Sequence, residues 1–119
     1  MTEIRNSKAY DLEDRTLQFA KNVIEFVNEL PKTLPNLEVS KQLVRSAGSV
    51  GANYIEANES LSKKDFIMRI KICRKESKES RYWLKLSSCT KESEEHQSNL
   101  IRESNELMKI FGAILEKSK

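Results

Sequence analysis

The sequence is poor in the residues that most enzymes use for chemistry. It contains one histidine, His96, and two cysteines, Cys73 and Cys89. It has no HxxxH or CxxC motif and no glycine-rich phosphate loop, the short motifs of metal, redox and nucleotide sites. Nothing in the sequence brings His96 and Cys89 together as a catalytic pair. We therefore expect no enzymatic activity, cofactor, metal site or small-molecule substrate, with His96 exposed on the surface.

Long apolar segments and helix breakers are also scarce. No apolar run is long enough to span a bilayer, and the first residues, MTEIRNSKAYDLED, lack the apolar core of a signal peptide. Three glycines, two prolines and 38% hydrophobic residues exclude a disordered or a membrane protein. A length of 119 residues suits one domain. We expect one cytoplasmic domain over residues 1–119 without a membrane contact.

The two cysteines are not expected to form a disulfide. Cys73 and Cys89 fall on one predicted helix, sixteen residues apart, and this separation corresponds to about 24 Å along a helix axis. A disulfide requires Cα atoms about 6 Å apart. Both side chains are therefore predicted to be buried, reduced thiols.

Hydrophobic residues recur with the helical period of 3.6 and never alternate with period two over a useful length. This pattern predicts four helices, at about residues 11–30, 40–60, 63–90 and 94–117. Asp11, Ser40 and Ser62 can cap the first three helices, and Pro31 and Pro35 bracket a connection that cannot continue a helix. Very few residues join the second and third helices, so these should be antiparallel neighbours. The predicted fold is an all-α, antiparallel up-down-up-down four-helix bundle.

Each predicted helix has one stripe suited to the core. The stripes are Leu12, Phe19, Val23, Phe26, Val27 and Leu30 on the first helix; Leu43, Ala47, Val50, Tyr54, Ala57 and Leu61 on the second; Phe66, Ile70, Cys73, Ser77, Ser80, Leu84 and Ser87 on the third; and Leu100, Leu107, Met108, Phe111, Ile114 and Leu115 on the fourth.

The second helix stands out because it is almost uncharged. Between residues 42 and 58 the only charged side chains are Arg45 and Glu56. They lie about 16 Å apart along a helix, so each needs a partner on another helix or chain. A helix without a charged outer face is usually covered on more than one side. Gly48 and Gly51 each cost up to about 1 kcal/mol against alanine, a cost that is tolerable where another backbone comes close. We therefore expect the domain to self-associate.

The third helix carries two further stripes besides its core face. Residues 63–85 contain nine Lys and Arg against three acidic residues, although the whole chain has a net charge of only +3. The first stripe, here called the basic ridge, is about 21 Å long and consists of Lys71, Arg74, Lys78, Arg81 and Lys85. The second, here called the apolar stripe, consists of Met68, Ile72, Trp83 and Leu86. A second apolar face that includes the only tryptophan indicates a contact between subunits.

Three motifs together resemble a known family. They are Arg45, Ser49, Val50, Ala52, Asn53 and Glu56 on the second helix, then Ser62, Lys63, Asp65 and Phe66, and finally Glu79, Tyr82, Trp83 and Leu84. The sequence is similar to the four-helix bundle protein family of bacteria, also called the 23S rRNA intervening-sequence protein family. The resemblance covers about the middle half of the chain. Gly48 departs from the pattern, where a bulkier residue is more usual, and indicates a closer local helix contact.

The resemblance implies a small helical protein without an established enzymatic activity. Some members are encoded within insertions in 23S rRNA genes. Similar proteins form pentamers, and a related accessory protein of retroelements is a basic pentamer that binds nucleic acid. The resemblance therefore implies a homo-oligomer, by analogy a pentamer, with RNA or DNA as a possible partner.

The candidate sites allow alternative interpretations. Asn53 and Glu56 lie on one side of the helix and could form an active-site pair. A structural hydrogen-bond network that also includes Arg45 and Ser49 is the favoured interpretation, because buried polar groups must be paired. The basic ridge either binds phosphates or is a solvated helix face. In the second case the protein is a structural or adaptor oligomer whose partner is another protein.

Overall fold

Four α-helices make up the fold. The computed structural model describes the backbone of residues 2–119 and the side chains of residues 12–119. Its elements are α1 (Thr2–Glu29), α2 (Leu34–Asn58), α3 (Lys63–Leu86), a 3-10 turn (Lys91–Ser93) and α4 (Glu94–Lys117). No β-strand occurs among the described residues. The prediction of an all-α fold with four helices is therefore confirmed.

The first two helices begin earlier than the sequence indicated. Asp11, the proposed cap of the first helix, lies inside α1, and its side chain is outside the described residues. Helix α2 begins at Leu34, because the Thr33 hydroxyl accepts a hydrogen bond from the Asn36 amide at 3.3 Å. Pro35 lies in the first turn of α2. Backbone N–H groups there have no acceptor within the helix, so the N–H that proline lacks costs no helical hydrogen bond. Ser40, the expected cap, is a buried residue within α2.

Helix α3 ends at Leu86, short of the predicted end at Thr90. The reason is not local to α3. Asn36 of α2 accepts a hydrogen bond from the Ser88 amide at 3.1 Å and donates to the Ser88 carbonyl at 2.9 Å. Gln97 of α4 donates to two main-chain carbonyls at the end of α3. These side-chain amides form hydrogen bonds with backbone groups that would otherwise be paired in a further turn of α3. The helix therefore ends at this point.

The core consists of the predicted stripes. The side chains with almost no exposure come from all four helices, among them Phe19, Val23 and Phe26, Leu43 and Val50, Ile70 and Leu84, and Leu107 and Phe111. Val27, Phe66, Ile114 and Leu115 are partly buried against them. Leu61 is the exception, with 99% exposure. It was assigned to the core stripe of the second helix, but α2 ends at Asn58, so the helical period no longer determines its direction.

Close approach between helices occurs at one of the two glycines of α2. A Cβ atom on Gly51 would lie 2.9 Å from the Thr16 hydroxyl oxygen of α1, which is too close for any real contact. The expected close packing is therefore present at Gly51. A Cβ atom on Gly48 would have no neighbour within 4 Å. The closer contact expected at Gly48 is thus not made by the described residues of the subunit.

Polar contacts hold the helices in register. Between α2 and α3, the Ser46 hydroxyl accepts a hydrogen bond from Ser80 at 2.9 Å, and the Cys73 thiol donates to the Val50 carbonyl at 3.4 Å. The partner number in α3 falls as the residue number in α2 rises. Between α1 and α4, Arg15 donates two hydrogen bonds to Glu103, at 2.6 and 2.9 Å.

The end of α1 is joined to the start of α4 through Glu29. The Ser93 hydroxyl donates to this carboxylate at 2.8 Å, and His96 Nδ1 lies 3.3 Å from it. The His96 ring also packs edge-on against Phe26, with 5.6 Å between ring centroids. His96 is therefore half-buried and in contact with two residues, contrary to the expectation of a simply exposed histidine.

This junction makes stability depend on pH. The hydrogen bond from Ser93, followed by that from His96, lowers the pKa of Glu29 below its ordinary value. A carboxyl whose pKa is lowered by folding stabilises the protein above its unfolded pKa, and this stability is lost as pH falls through the folded pKa. We expect Ser93→Ala to raise the pKa of Glu29. We also expect it to cost more stability near neutral pH than in acid.

NMR titration of the Glu29 carboxyl and urea unfolding at several pH values measure the two effects. Glu29→Gln is the matched control, because it should remove the contribution of Glu29 to the pH dependence of stability, which Ser93→Ala only reduces. A Glu29 carboxyl that titrates identically with and without the Ser93 hydroxyl would contradict the assignment.

Candidate functional site

The first candidate site is a row of polar side chains between α2 and α3, here called the polar seam. Its members are Arg45, Ser49 and Asn53 of α2 with Arg69, Glu76 and Glu79 of α3. At one end, the Arg45 guanidinium donates to Glu79 Oε1 and lies 3.7 Å from Glu76 Oε1. The indole N–H of Trp83 reaches the same Glu79 oxygen at 3.4 Å. The sequence required a partner for Arg45 on another helix, and Glu79 of α3 is that partner.

Glu76 is the most buried member of the polar seam. Its side chain is only 8% exposed. Oε1 has no hydrogen-bond partner among the described residues, since Arg45 is too distant for one. Lys75 lies 3.9 Å from the other oxygen, Oε2. A buried carboxylate is costly unless it is paired, so Glu76 depends on the nearby guanidinium of Arg45 for its compensation.

Asn53 occupies the middle of the polar seam and uses both ends of its amide. Nδ2 donates to the backbone carbonyl and to the hydroxyl of Ser49, both at 2.9 Å. Oδ1 accepts a hydrogen bond from Arg69 at 2.9 Å. The Arg69 contact joins α3 to α2, and the two Ser49 contacts lie within α2.

Glu56 is not part of this network. Its side chain is exposed and makes no ion pair or side-chain hydrogen bond with the described residues. The sequence placed Glu56 with Asn53 because three residues separate them, but the Asn53 amide is already occupied by Ser49 and Arg69. Among the described residues, Glu56 therefore has no side-chain partner that links it to another helix.

The second candidate site is the basic ridge, of which four members are exposed: Lys71, Arg74, Lys78 and Lys85. None of these four forms an ion pair with a carboxylate among residues 12–119. We call them the exposed ridge. Arg81 differs, because it is half-buried and donates to Asn105 of α4 at 2.6 Å. It holds α3 to α4, and the sequence could not distinguish it from its neighbours because that partner lies on another helix.

An open hollow lies at the start of the exposed ridge. It has a volume of about 560 Å³ and is lined by Lys63, Lys64, Asp65, Ile67, Met68 and Lys71. All of these residues belong to the first turns of α3, so the hollow is a feature of the surface and not an interior cavity. Its lysines extend the positive charge of the exposed ridge towards the helix N-terminus.

The third candidate site is the apolar stripe of α3. Met68 and Leu86 are exposed, as expected of a contact surface. Ile72 and Trp83 are half-buried, and Trp83 packs against the edge of the core. Trp83 therefore does not point away from the core as the helical period indicated. The neighbouring Tyr82 is exposed instead and packs edge-on against the Trp83 ring at 5.0 Å.

Sequence analysis missed a further set of exposed apolar side chains. They lie on α1 and α2 and include Leu17, Ile24, Val44 and Ile55. The signal that could have found the α2 members was the low charge of that helix. The low charge predicts that other helices or subunits pack on α2, but it does not identify which side of the helix stays exposed within one subunit.

Neither thiol is poised for reaction. Cys73 is fully buried, and burial raises the pKa of its thiol to about 12. Cys89 is half-buried in the connection between α3 and α4, not on α3 as predicted, and burial raises its pKa as well. Its sulfur contacts Gln97 at 3.4 Å and makes no pair with His96. Because the thiolate is the reactive form, both cysteines are weak nucleophiles.

The described part of the chain has neither a cluster of metal ligands nor a membrane-spanning helix. No three His, Cys, Asp or Glu side chains are grouped so that they could hold a metal ion. Among the described helices, none combines the length and the apolar character needed to cross a membrane.

Comparison with known proteins identifies the family. Residues 8–113 match the family model for the 23S rRNA-intervening sequence protein. The fold is similar to a crystal structure of a protein with unknown function from the S23 ribosomal protein family of Bacteroides thetaiotaomicron VPI-5482, with a TM-score of 0.79. The two sequences are 31% identical, over 92% of this chain and 98% of the other. No match was found among curated proteins. The chain therefore belongs to the 23S rRNA-intervening sequence protein family.

Proposed function

We propose that this protein is a non-enzymatic homo-oligomer that binds RNA or DNA through the exposed ridge. The observation that carries the proposal is the ridge itself. Lys71, Arg74, Lys78 and Lys85 are exposed on one helix, and no carboxylate among residues 12–119 neutralises them. Cations that are already paired gain little from a phosphate, whereas these four are free to release counterions from a nucleic acid.

The length of the exposed ridge suits a nucleic-acid backbone. Lys71 and Lys85 are separated by about 21 Å along the helix axis, enough to follow several phosphates of one strand. The Trp83 indole is engaged with Glu79 and the core, so it is not free to stack on bases. All four side chains of the exposed ridge are Lys or Arg, which can contact the phosphates of any sequence. We therefore expect binding that depends on salt and is weakly selective for sequence.

We further propose an antiparallel up-down-up-down bundle that assembles into a ring, by family likeness a pentamer. The short connections and the opposite numerical order of the α2 and α3 contacts support the bundle arrangement. The exposed apolar side chains on three helices support self-association. A ring repeats the exposed ridge in every subunit, so weak contacts with one nucleic acid add by multivalency.

The test is a fluorescence anisotropy titration with structured RNA and with duplex DNA at two salt concentrations. We expect the wild type to bind both at low salt, with a steep loss of affinity as salt rises. Arg74→Glu combined with Lys78→Glu should weaken binding to every sequence by about tenfold or more at low salt. The matched control is Lys41→Glu with Lys109→Glu, which makes the same change in net charge on exposed parts of α2 and α4.

Three outcomes would contradict the proposal. The wild type could bind neither nucleic acid, the ridge variant could bind as well as the wild type, or the control could lose as much affinity as the ridge variant. The last result would assign binding to net charge and not to the ridge.

The second candidate function is a structural or adaptor oligomer that binds another protein. The observation in its favour is the set of exposed apolar side chains on α1, α2 and α3. It replaces the first proposal if the oligomer forms but neither nucleic acid binds.

A further inference from the structure

Helices α1 and α2 share an open apolar surface, here called the receiving face. It consists of Leu17, Ile24, Val44 and Ile55, which are between 38% and 53% exposed. Val44, Gly48, Gly51 and Ile55 follow one another at helical spacings. Gly51 lies against Thr16 of α1, so this row lies on the side of α2 that turns towards α1.

The α1 members lie beside that row. Leu17 follows Thr16 directly, and Ile24 lies two turns further along the same side of α1. The surface between the two helices is lined by small residues. Gly48 and Ala52 are exposed, and a Cβ on Gly48 would meet nothing within 4 Å. The receiving face is therefore a shallow apolar surface that the subunit does not cover.

One end of the receiving face is acidic. Asp14 lies three residues before Leu17 on α1, and Glu59, the C-cap of α2, lies four residues after Ile55, so each is on the same side of its helix as that apolar residue. Both carboxylates are exposed, as is that of Glu56, which follows Ile55 directly in the sequence. Arg45 is one of the few cations of α2, and its guanidinium forms an ion pair with Glu79 of α3. Glu56 has no partner among the described residues of its own subunit, although it belongs to the family motif.

Helix α3 presents a surface of complementary character, here called the inserting face. Lys64, Met68, Lys75, Tyr82 and Leu86 recur at spacings of four and seven, so they share one side of the helix. Its three apolar members are between 47% and 59% exposed, and both lysines are exposed. The helix is strongly basic, in contrast to the acidic end of the receiving face.

We propose that the inserting face of one copy docks on the receiving face of the next copy, with Lys64 directed at Glu59. This inference rests on the self-association proposed above and identifies the surfaces that carry it. Apolar side chains meet apolar side chains, and a lysine meets a carboxylate that has no partner among the described residues of its own subunit. A second copy is the occupant because the chain itself supplies both complementary surfaces.

The two faces are different, so the contact is head-to-tail. Each copy gives one face and receives with the other, and the assembly closes into a ring or continues as a filament. A two-fold dimer would instead pair identical patches. The exposed ridge lies beside the inserting face, in the row of Arg81, which contacts α4. Docking through Met68 and Leu86 therefore leaves the ridge at the rim of the contact.

The test uses one blocked face per variant. Ile55→Glu damages only the receiving face, and Met68→Glu damages only the inserting face. Both side chains are about half exposed, so the fold should survive, and circular dichroism checks this. In size-exclusion chromatography with light scattering, the wild type should be an oligomer and each variant should have the 13.8 kDa mass of one chain.

Mixing the two variants gives the decisive measurement. In the mixture, the Ile55→Glu chain keeps an intact inserting face, and the Met68→Glu chain keeps an intact receiving face. We expect a one-to-one heterodimer that grows no further. Ala113→Glu, an exposed substitution on α4, should leave the wild-type assembly unchanged. Reversing the charges together, as Glu59→Lys with Lys64→Glu, should restore more assembly than either change alone.

The outcomes separate this inference from the broader proposal. A wild type that is monomeric at all concentrations overturns self-association itself. An oligomeric wild type whose Ile55→Glu variant stays oligomeric overturns only the head-to-tail contact, as does a mixture that stays monomeric. In those cases α3 pairs with α3, or the receiving face binds a different protein.

Discussion

Replacing Phe111 by alanine is expected to lower the free energy of unfolding by about 3–5 kcal/mol. The Phe111 side chain comes from α4 and is completely buried. Its ring lies 6.1 Å from that of Tyr54 on α2, so it fills the space between two helices that are not consecutive in the chain. Alanine removes the ring and leaves a cavity that the surrounding helices fill only in part.

Urea unfolding followed by circular dichroism measures this loss. All variants are compared at one protein concentration, because assembly adds to apparent stability. Phe111→Leu should cost clearly less, since it retains most of the apolar volume. Lys109→Ala, on the exposed side of α4, should stay within about 0.5 kcal/mol of the wild type. A Phe111→Ala variant as stable as Lys109→Ala would show that α4 does not pack as described.

Replacing Arg45 by methionine is expected to lower the free energy of unfolding by about 1–3 kcal/mol. Methionine keeps most of the length and the apolar stem but removes the guanidinium shared by Glu76 and Glu79. The cost arises mainly at Glu76, which is buried and would lose its nearest compensating charge on α2. Arg45 is itself half exposed, so water can replace part of the interaction.

A double-mutant cycle tests the physical reason. Glu76→Gln keeps the shape of the side chain and removes its charge, so it should recover part of the stability lost in Arg45→Met. Additive effects of the two substitutions would show that the residues do not interact. Arg69→Met offers a comparison within the same polar seam, because its partner is the neutral Asn53. It should cost less than Arg45→Met.

These expectations change the meaning of the family motif. Arg45 and Asn53 contact α3 and hold two helices of one subunit together, and the Ser49 hydroxyl accepts a hydrogen bond from the Asn53 amide within α2. Glu56 follows in the same motif but faces outwards. The motif therefore combines residues that serve the fold with one that remains available to a partner.

Much of the fold could be predicted from the sequence because its causes are local. The spacing of Phe19, Val23 and Phe26 placed them on one face of a helix, and all three are buried. Ser62 was identified as a cap, and its hydroxyl accepts the Asp65 amide at 3.1 Å. The early start of α2 had a local signal too, in Thr33 followed by Pro35. It was overlooked because the proline was interpreted only as a helix breaker.

Other features could not be found in this way because their causes lie far apart in the chain. Helix α3 ends where Asn36, 52 residues before Ser88, binds the backbone. Arg81 does not belong to the exposed ridge, because its guanidinium donates a hydrogen bond to Asn105 of α4. Trp83 turns towards the core because Glu79 and the core edge both contact it.

The sequence alone determined which residues share a helix face, because the helical period depends only on the spacing between residues. It thereby identified the core stripes, the charge-poor second helix and the row of cations on the third. The tertiary structure decided which of these faces are used inside the subunit and which stay open, because that depends on neighbours from distant segments. Packing assigned Gly51 to the contact with Thr16 and left Gly48 uncovered. It also paired Arg45 with Glu79 and left Glu56 without a partner among the described residues.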